Sequence, residues 1–177
     1  MPRVPPAEPP IAPAAGEELD RQLAAHGRVT NMKRTLAHSP AALLALMQWY
    51  PLRDEVAAFL GERRTTLFAH AVSTETDCLI CSTFFRRVLI DGGEDPDRLE
   101  LDARDAAVVQ FGLALARNNS RVPEAVYDRV KGFLEPAQIV ALTAFGAMMI
   151  ATNVFNNALE VDLDEYLAAY RRAGSVK

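Results

Sequence analysis

The sequence predicts an all-α protein, and three observations carry that prediction. Apolar residues recur three and four apart along most of the chain, as in Leu67, Phe68 and Ala71 and again in Ala107, Val108, Phe111 and Leu115. No stretch keeps the two-residue alternation of a half-buried strand. Proline and glycine fall between the periodic stretches, where helices start and stop.

Met1 to Gly16 reads as an extended, Pro-rich arm, either disordered or laid over a neighbouring subunit; six of its first fifteen residues are proline. The remainder, 17–177, reads as one helical domain. Glu17 to His26 is a short helix stopped near Gly27. Ser39-Pro40 opens the next, with Pro40 at its first position, Leu43, Leu44, Leu46 and Met47 toward a core, and Pro51 as its stop. Asp54 to Leu60 continues helically to Gly61, and Glu62 to Val72 follows. Thr74 to Phe85 opens a helix to about Ile90, closed by Asp91-Gly92-Gly93. After a loop over Pro96 to Leu101, helices are expected from Asp102 or Ala103 to about Arg117, from Val122-Pro123-Glu124 through Phe133, and from Glu135-Pro136 to about Leu159. The long one carries Ala144, Gly146, Ala147 and Ala151. Such small residues admit a close neighbour, so it is read as the central buried helix. An amphipathic helix from Asp164 to Arg172 completes the chain.

Composition narrows the function. The chain has 177 residues, half of them hydrophobic, and a formal net charge of -4, which gives no basic footprint for nucleic acid. The N-terminus lacks the apolar core of a signal peptide. The longest apolar run, Ile139 to Ala151, is too short to span a bilayer. Two cysteines are too few for a secreted disulfide scaffold, so a reducing, cytoplasmic setting is expected. No Gly-rich phosphate loop, G-x-S-x-G or H-E-x-x-H is present, and no cofactor or metal is expected.

Both cysteines lie in one C-x-x-C, Cys78 and Cys81. With Thr76 or Asp77 as the helix cap, Cys78 falls in the first turn, where unpaired N–H groups and the macrodipole favour a thiolate. Cys81 then lies on nearly the same face. A redox pair, an inert buried pair and half of a zinc site all fit this spacing. Glu75 and Asp77 would raise a cysteine pKa if close, but suit a capping role better. Arg86 and Arg87 are read as surface charges, and Trp49 and Tyr50 as core or interface anchors. His26 and His38 join no constellation.

From about Arg28 to Tyr166 the chain resembles the alkylhydroperoxidase D-like and carboxymuconolactone decarboxylase superfamily. The resemblance rests on Arg28 to Met32 with Leu36-Ala37-His38-Ser39-Pro40, on Arg64 to Val72, on Cys78-x-x-Cys81 and on Asn153 to Leu159, in that order. It implies an AhpD-like all-helical fold, homo-oligomers, and in the C-x-x-C branch an antioxidant, peroxidase or disulfide-reductase activity. In that branch the second cysteine attacks the peroxide and the first resolves it, which maps to Cys81 and Cys78. A histidine four residues after the second cysteine and a glutamate on the preceding helix relay protons. Here those positions hold Phe85 and, near the glutamate, Thr65-Thr66.

A substitute relay is legible on one helix. Glu62, Thr66 and His70 are spaced four apart and share a face, with Thr66 or water needed to bridge the ends. Histidine suits proton transfer near neutral pH. A histidine satisfied by a backbone carbonyl fits as well. The sequence thus points to a thiol-dependent antioxidant protein acting on a small hydroperoxide or disulfide, with a thiol electron donor. The first rival is a non-enzymatic oligomeric relative serving as a binding or assembly scaffold. A lactone decarboxylase is a second, opposed by the C-x-x-C.

Overall fold

The computed structural model describes residues 1–172; the last five positions of the expected domain, 173–177, lie outside the described residues. Among the described residues nine α-helices follow one another: α1 (Pro13–His26), α2 (Asn31–Leu36), α3 (Pro40–Met47), α4 (Trp49–Leu60), α5 (Glu62–Glu75), α6 (Leu79–Asp91), α7 (Ala103–Ala116), α8 (Glu124–Lys131) and α9 (Pro136–Leu159). Short 3-10 turns span Asn118–Ser120 and Glu165–Tyr170. Among the described residues there is no strand.

Helix α5 is the axis. It packs against α7, α6, α4 and α9. Its Phe68 is fully buried beside Phe111 of α7 and Phe145 of α9, with ring centroids 6.4 and 5.8 Å away. Such closeness needs missing side chains on the neighbours. A Cβ at Gly112 would lie 3.1 Å from the Phe68 ring, and one at Gly146 would lie 2.9 Å from it. Arg63 and Arg64 of α5 both reach the buried carboxylate of Asp105, which also completes the α7 capping box with Asp102.

A second, smaller core joins α1, α2 and α3 through Ala15, Leu36, Leu43 and Met47. The proline-rich segment closes it from outside. Ala7 and Ile11 pack on this core, the Ala7 N–H donates to the Arg34 carbonyl, and Arg3 reaches the end of α9 at the Leu159 and Ala158 carbonyls. The arm therefore lies on its own chain, and α1 begins at Pro13, four residues before the expected start.

Other boundaries moved for local reasons. Pro51 does not stop a helix. It is the third residue of α4, where the missing N–H has no intrahelical partner to lose. Residues 31–36, read only as part of a family segment, form α2, capped by Thr30. The last expected helix is a 3-10 turn of six residues. Leu44 points out, 38% exposed. Helix α9 is less central than expected: Phe145, Gly146 and Met149 face the core, while Val140, Ala147, Ala151 and Val154 face out. The helix runs well beyond the apolar run noted in the sequence. By length and composition it could cross a membrane, yet 44% of its most apolar stretch is buried inside this fold.

Candidate functional site

The two cysteines sit where α5 turns into α6. Thr76 ends α5, Asp77 takes a left-handed conformation (φ 50°), and Cys78 itself is the N-cap of α6. Neither Thr76 nor Asp77 caps α6, as the sequence had suggested. Cys81 is the third residue of the helix, the position whose N–H an N-cap side chain ordinarily faces. The thiols are free and buried.

Three asparagines of α9 hold this turn. Asn153 Nδ2 donates to Thr76 Oγ1 at 2.7 Å, and Asn157 Nδ2 donates to the Thr76 carbonyl at 2.9 Å. Between them Asn156 Nδ2 reaches Cys81 Sγ at 3.4 Å and Cys78 Sγ at 3.8 Å. Asn156 Oδ1 is buried without a hydrogen-bond partner. The sequence reading had grouped these asparagines only as part of a family-like run. What marks them is their i, i+3, i+4 spacing on one face, which puts three amides beside one backbone turn.

The thiols are electrostatically unequal. The Cys81 thiol hydrogen-bonds the Cys78 sulfur and holds its pKa below the usual cysteine range. Burial opposes this, and the Cys81 backbone N–H and the Asn156 amide reinforce it. Cys81 is pushed well above that range by the same hydrogen bond, by burial and by the charge on Cys78. The hydrogen bond between them thus favours negative charge on Cys78 over negative charge on Cys81.

Cys81 lines a cavity of about 100 Å³, open on one side. One wall is apolar and aromatic, made of Trp49, Phe84, Phe85 and Met149. Trp49 donates its ring N–H to the Met149 sulfur at 2.6 Å. Phe85 is buried and packs beside Trp49, ring centroids 6.3 Å apart. The lining also includes the polar residues Lys33, Tyr50, Asp164 and Tyr166. Burial draws Lys33 down to about 8, pushes Tyr50 up to about 12 and raises Asp164. The sequence reading passed over Lys33 and Asp164 because neither lies near the C-x-x-C in the chain.

The expected relay does not assemble at this cavity. Glu62 is exposed and paired with Arg53. Thr66 is buried in α5 and is absent from the cavity wall. His70 is also absent from the wall; it faces Arg86 and Asp97, and burial first, then the Arg86 charge, lower it to about 4. It is a neutral, weak base at pH 7. Glu75 is engaged bidentately by Arg117 at 2.6 and 2.8 Å. Arg86 pairs with Asp97 and Arg87 with Asp91. His38 meets the Pro5 carbonyl at 3.0 Å, and His26 stacks on Tyr50. No group of three or more histidine, cysteine, aspartate or glutamate side chains suited to a metal occurs among the described residues.

Neither a protein-family model nor a curated protein matches the sequence. Solved structures do match the fold. A Cys-to-Ala variant of the debrominase Bmp8, in complex with 2,3,4-tribromopyrrole, is 14% identical over 94% of each chain, with a TM-score of 0.78. The alkylhydroperoxidase AhpD core of an uncharacterized peroxidase-related protein from Ralstonia eutropha JMP134 is 18% identical over 94% of each chain, with a TM-score of 0.75. An uncharacterized peroxidase-related protein from Silicibacter sp. TM1040 is 18% identical over 94% of this chain and 96% of its own, with a TM-score of 0.71. The chain therefore has the AhpD-like all-α fold that the sequence suggested.

Proposed function

We propose that this protein is a thiol-dependent reductase of small hydroperoxides, working as a homo-oligomer through the Cys78–Cys81 pair. One observation carries the reading: two free thiols hydrogen-bond each other with opposite pKa shifts, and Cys81 opens on a cavity. The fold neighbours that are peroxidase-related proteins support it.

Cys78, as thiolate, takes the Cys81 proton, which replaces the base absent at Phe85. The Cys81 thiolate then attacks the distal oxygen of the hydroperoxide. The O–O bond breaks, Cys81 becomes a sulfenic acid, and the alkoxide takes the proton from Cys78 and leaves as the alcohol. Cys78, again a thiolate, attacks the Cys81 sulfur, forming the disulfide and expelling hydroxide, which solvent protonates. Two electrons from an external thiol donor restore the pair. Asn156 Nδ2, within reach of both sulfurs, stabilises whichever carries the charge.

The test is stoichiometric peroxide followed by alkylation and mass spectrometry. Loss of both alkylation sites, restored by a dithiol, is the expected result. Thiols that remain fully alkylated after oxidation would leave the fold as a non-enzymatic scaffold.

A further inference from the structure

The cavity lining holds two buried charged groups that the thiol chemistry does not use. Lys33 is 2% exposed; its Nζ lies 5.0 Å from the centre of the Tyr50 ring, and the Glu18 and Asp164 carboxylates act on its charge. Asp164 is 8% exposed. Its Oδ1 accepts from the Asn31 backbone N–H at 2.8 Å, and its Oδ2 is buried with nothing bound to it. A buried carboxylate oxygen without a partner is costly, and a ligand that donates to it removes the cost. The two side chains come from α2 and from the segment before the last 3-10 turn, 131 positions apart in the chain, and both line the cavity that Cys81 opens on.

We propose that Lys33 and Asp164 bind the hydroxyl of a small phenol whose ring lies against the aromatic side chains of the lining. The phenolic O–H donates to Asp164 Oδ2 while its oxygen accepts from the Lys33 ammonium. That gives Asp164 Oδ2 its missing donor and leaves the opposite charges of the two side chains in place. The ring faces Trp49, Phe84 and Phe85. The volume of about 100 Å³ is smaller than the roughly 150 Å³ that takes benzene, so it holds at most a single ring, whose edge extends through the open side. A carboxylate is a poorer match, because its second oxygen meets the Asp164 carboxylate. A hydrocarbon ring leaves Asp164 Oδ2 without a donor, and sites built to bond a hydroxyl discriminate strongly against analogues that lack it.

This deepens the thiol reading by naming the kind of molecule that reaches Cys81, but binding is measured on the reduced protein without peroxide, so the two fail separately. Calorimetric titration of the full chain would use phenol, toluene and benzoate. Phenol is expected to saturate one site at least ~10-fold more tightly than toluene or benzoate. Lys33→Met and Asp164→Asn should each bring phenol to within about twofold of toluene, with toluene affinity unchanged. A phenol affinity no better than that of toluene, a preference for benzoate, or a phenol preference that survives both substitutions would overturn the proposal. The wild-type comparison decides by itself should either variant fail to fold.

Discussion

Asn156 places its amide nitrogen 3.4 Å from the sulfur of Cys81, from a position 75 residues further along the chain. The contact ties the longest helix to the turn that holds both thiols. A buried amide donor favours the thiolate over the thiol, so this contact belongs to reactivity as much as to packing.

Asn156→Ala should therefore shift the pH profile of alkylation upward. A hydrogen bond to a charged group contributes about 1.5–3 kcal/mol, so a rise of roughly one pH unit in the apparent pKa of the pair is expected. Alkylation rates measured across pH check it. A slower protein with an unmoved profile would make Asn156 a packing residue only.

His70→Gln separates stability from chemistry. The folded pKa of His70 is about 4, against 6.5 for the free side chain. The unfolded chain therefore binds more protons between these values, and folding stability falls as the pH drops from 6.5 toward 4. The full shift corresponds to at most ~3 kcal/mol, and the partial exposure of His70 leaves roughly 1–2 kcal/mol. The variant should lose this part of the acid sensitivity, read as urea midpoints at neutral and acid pH. Its thiol reactivity at pH 7 should be unchanged, because His70 lies away from the cavity.

Phe85→His tests the departure from the family pattern. Position 85 lines the cavity with Cys81, so an imidazole there has access to the reacting atoms. Peroxide turnover should rise by ~10-fold or more, within the usual range for general acid–base help. Replacing a buried ring with a polar one should cost about 1–3 kcal/mol. Peroxide consumption and a melting curve on the same preparation check both. Turnover unchanged in a folded variant would show that an imidazole at position 85 adds nothing to the proton transfer that Cys78 provides.

Gly146→Ala should loosen the core. Its Cβ would lie 2.8 Å from Leu115 Cδ1 and 2.9 Å from Phe68 Cζ. Overpacking costs ~1–3 kcal/mol, and helix propensity returns about 1 kcal/mol, so a net loss near 1 kcal/mol is expected by urea denaturation.

Assembly is expected on the outer face of α9. Val140 and Val154 are 68% and 58% exposed, with Ala147 and Ala151 exposed between them. Light scattering should give more than the monomer mass at micromolar concentration, and Val154→Glu should lower it by setting a charge in an apolar contact. A wild-type monomer throughout that range would exclude this interface.

The helical character and most helix boundaries were legible in the sequence, because the three-and-four spacing and the Pro and Gly punctuation are local. Ser39-Pro40 and Glu135-Pro136 open α3 and α9 as read, since a proline at the first position loses no hydrogen bond. Pro51 misled because the same logic tolerates proline anywhere in a first turn, and only the break at Gln48 shows which turn it is. The C-x-x-C was legible as a pair, and its spacing alone puts both sulfurs at one helix start. Tertiary structure decided the rest. It alone brings Asn156 to the thiols, turns His70 toward Arg86 instead, and gathers Lys33, Trp49, Phe85 and Asp164 around one cavity with Cys81. Spacing within a helix fixes which residues share a face, but which face meets which neighbour is fixed by close packing. Phe68 against Gly112 and Gly146 sets that packing here, through contacts that join distant parts of the chain.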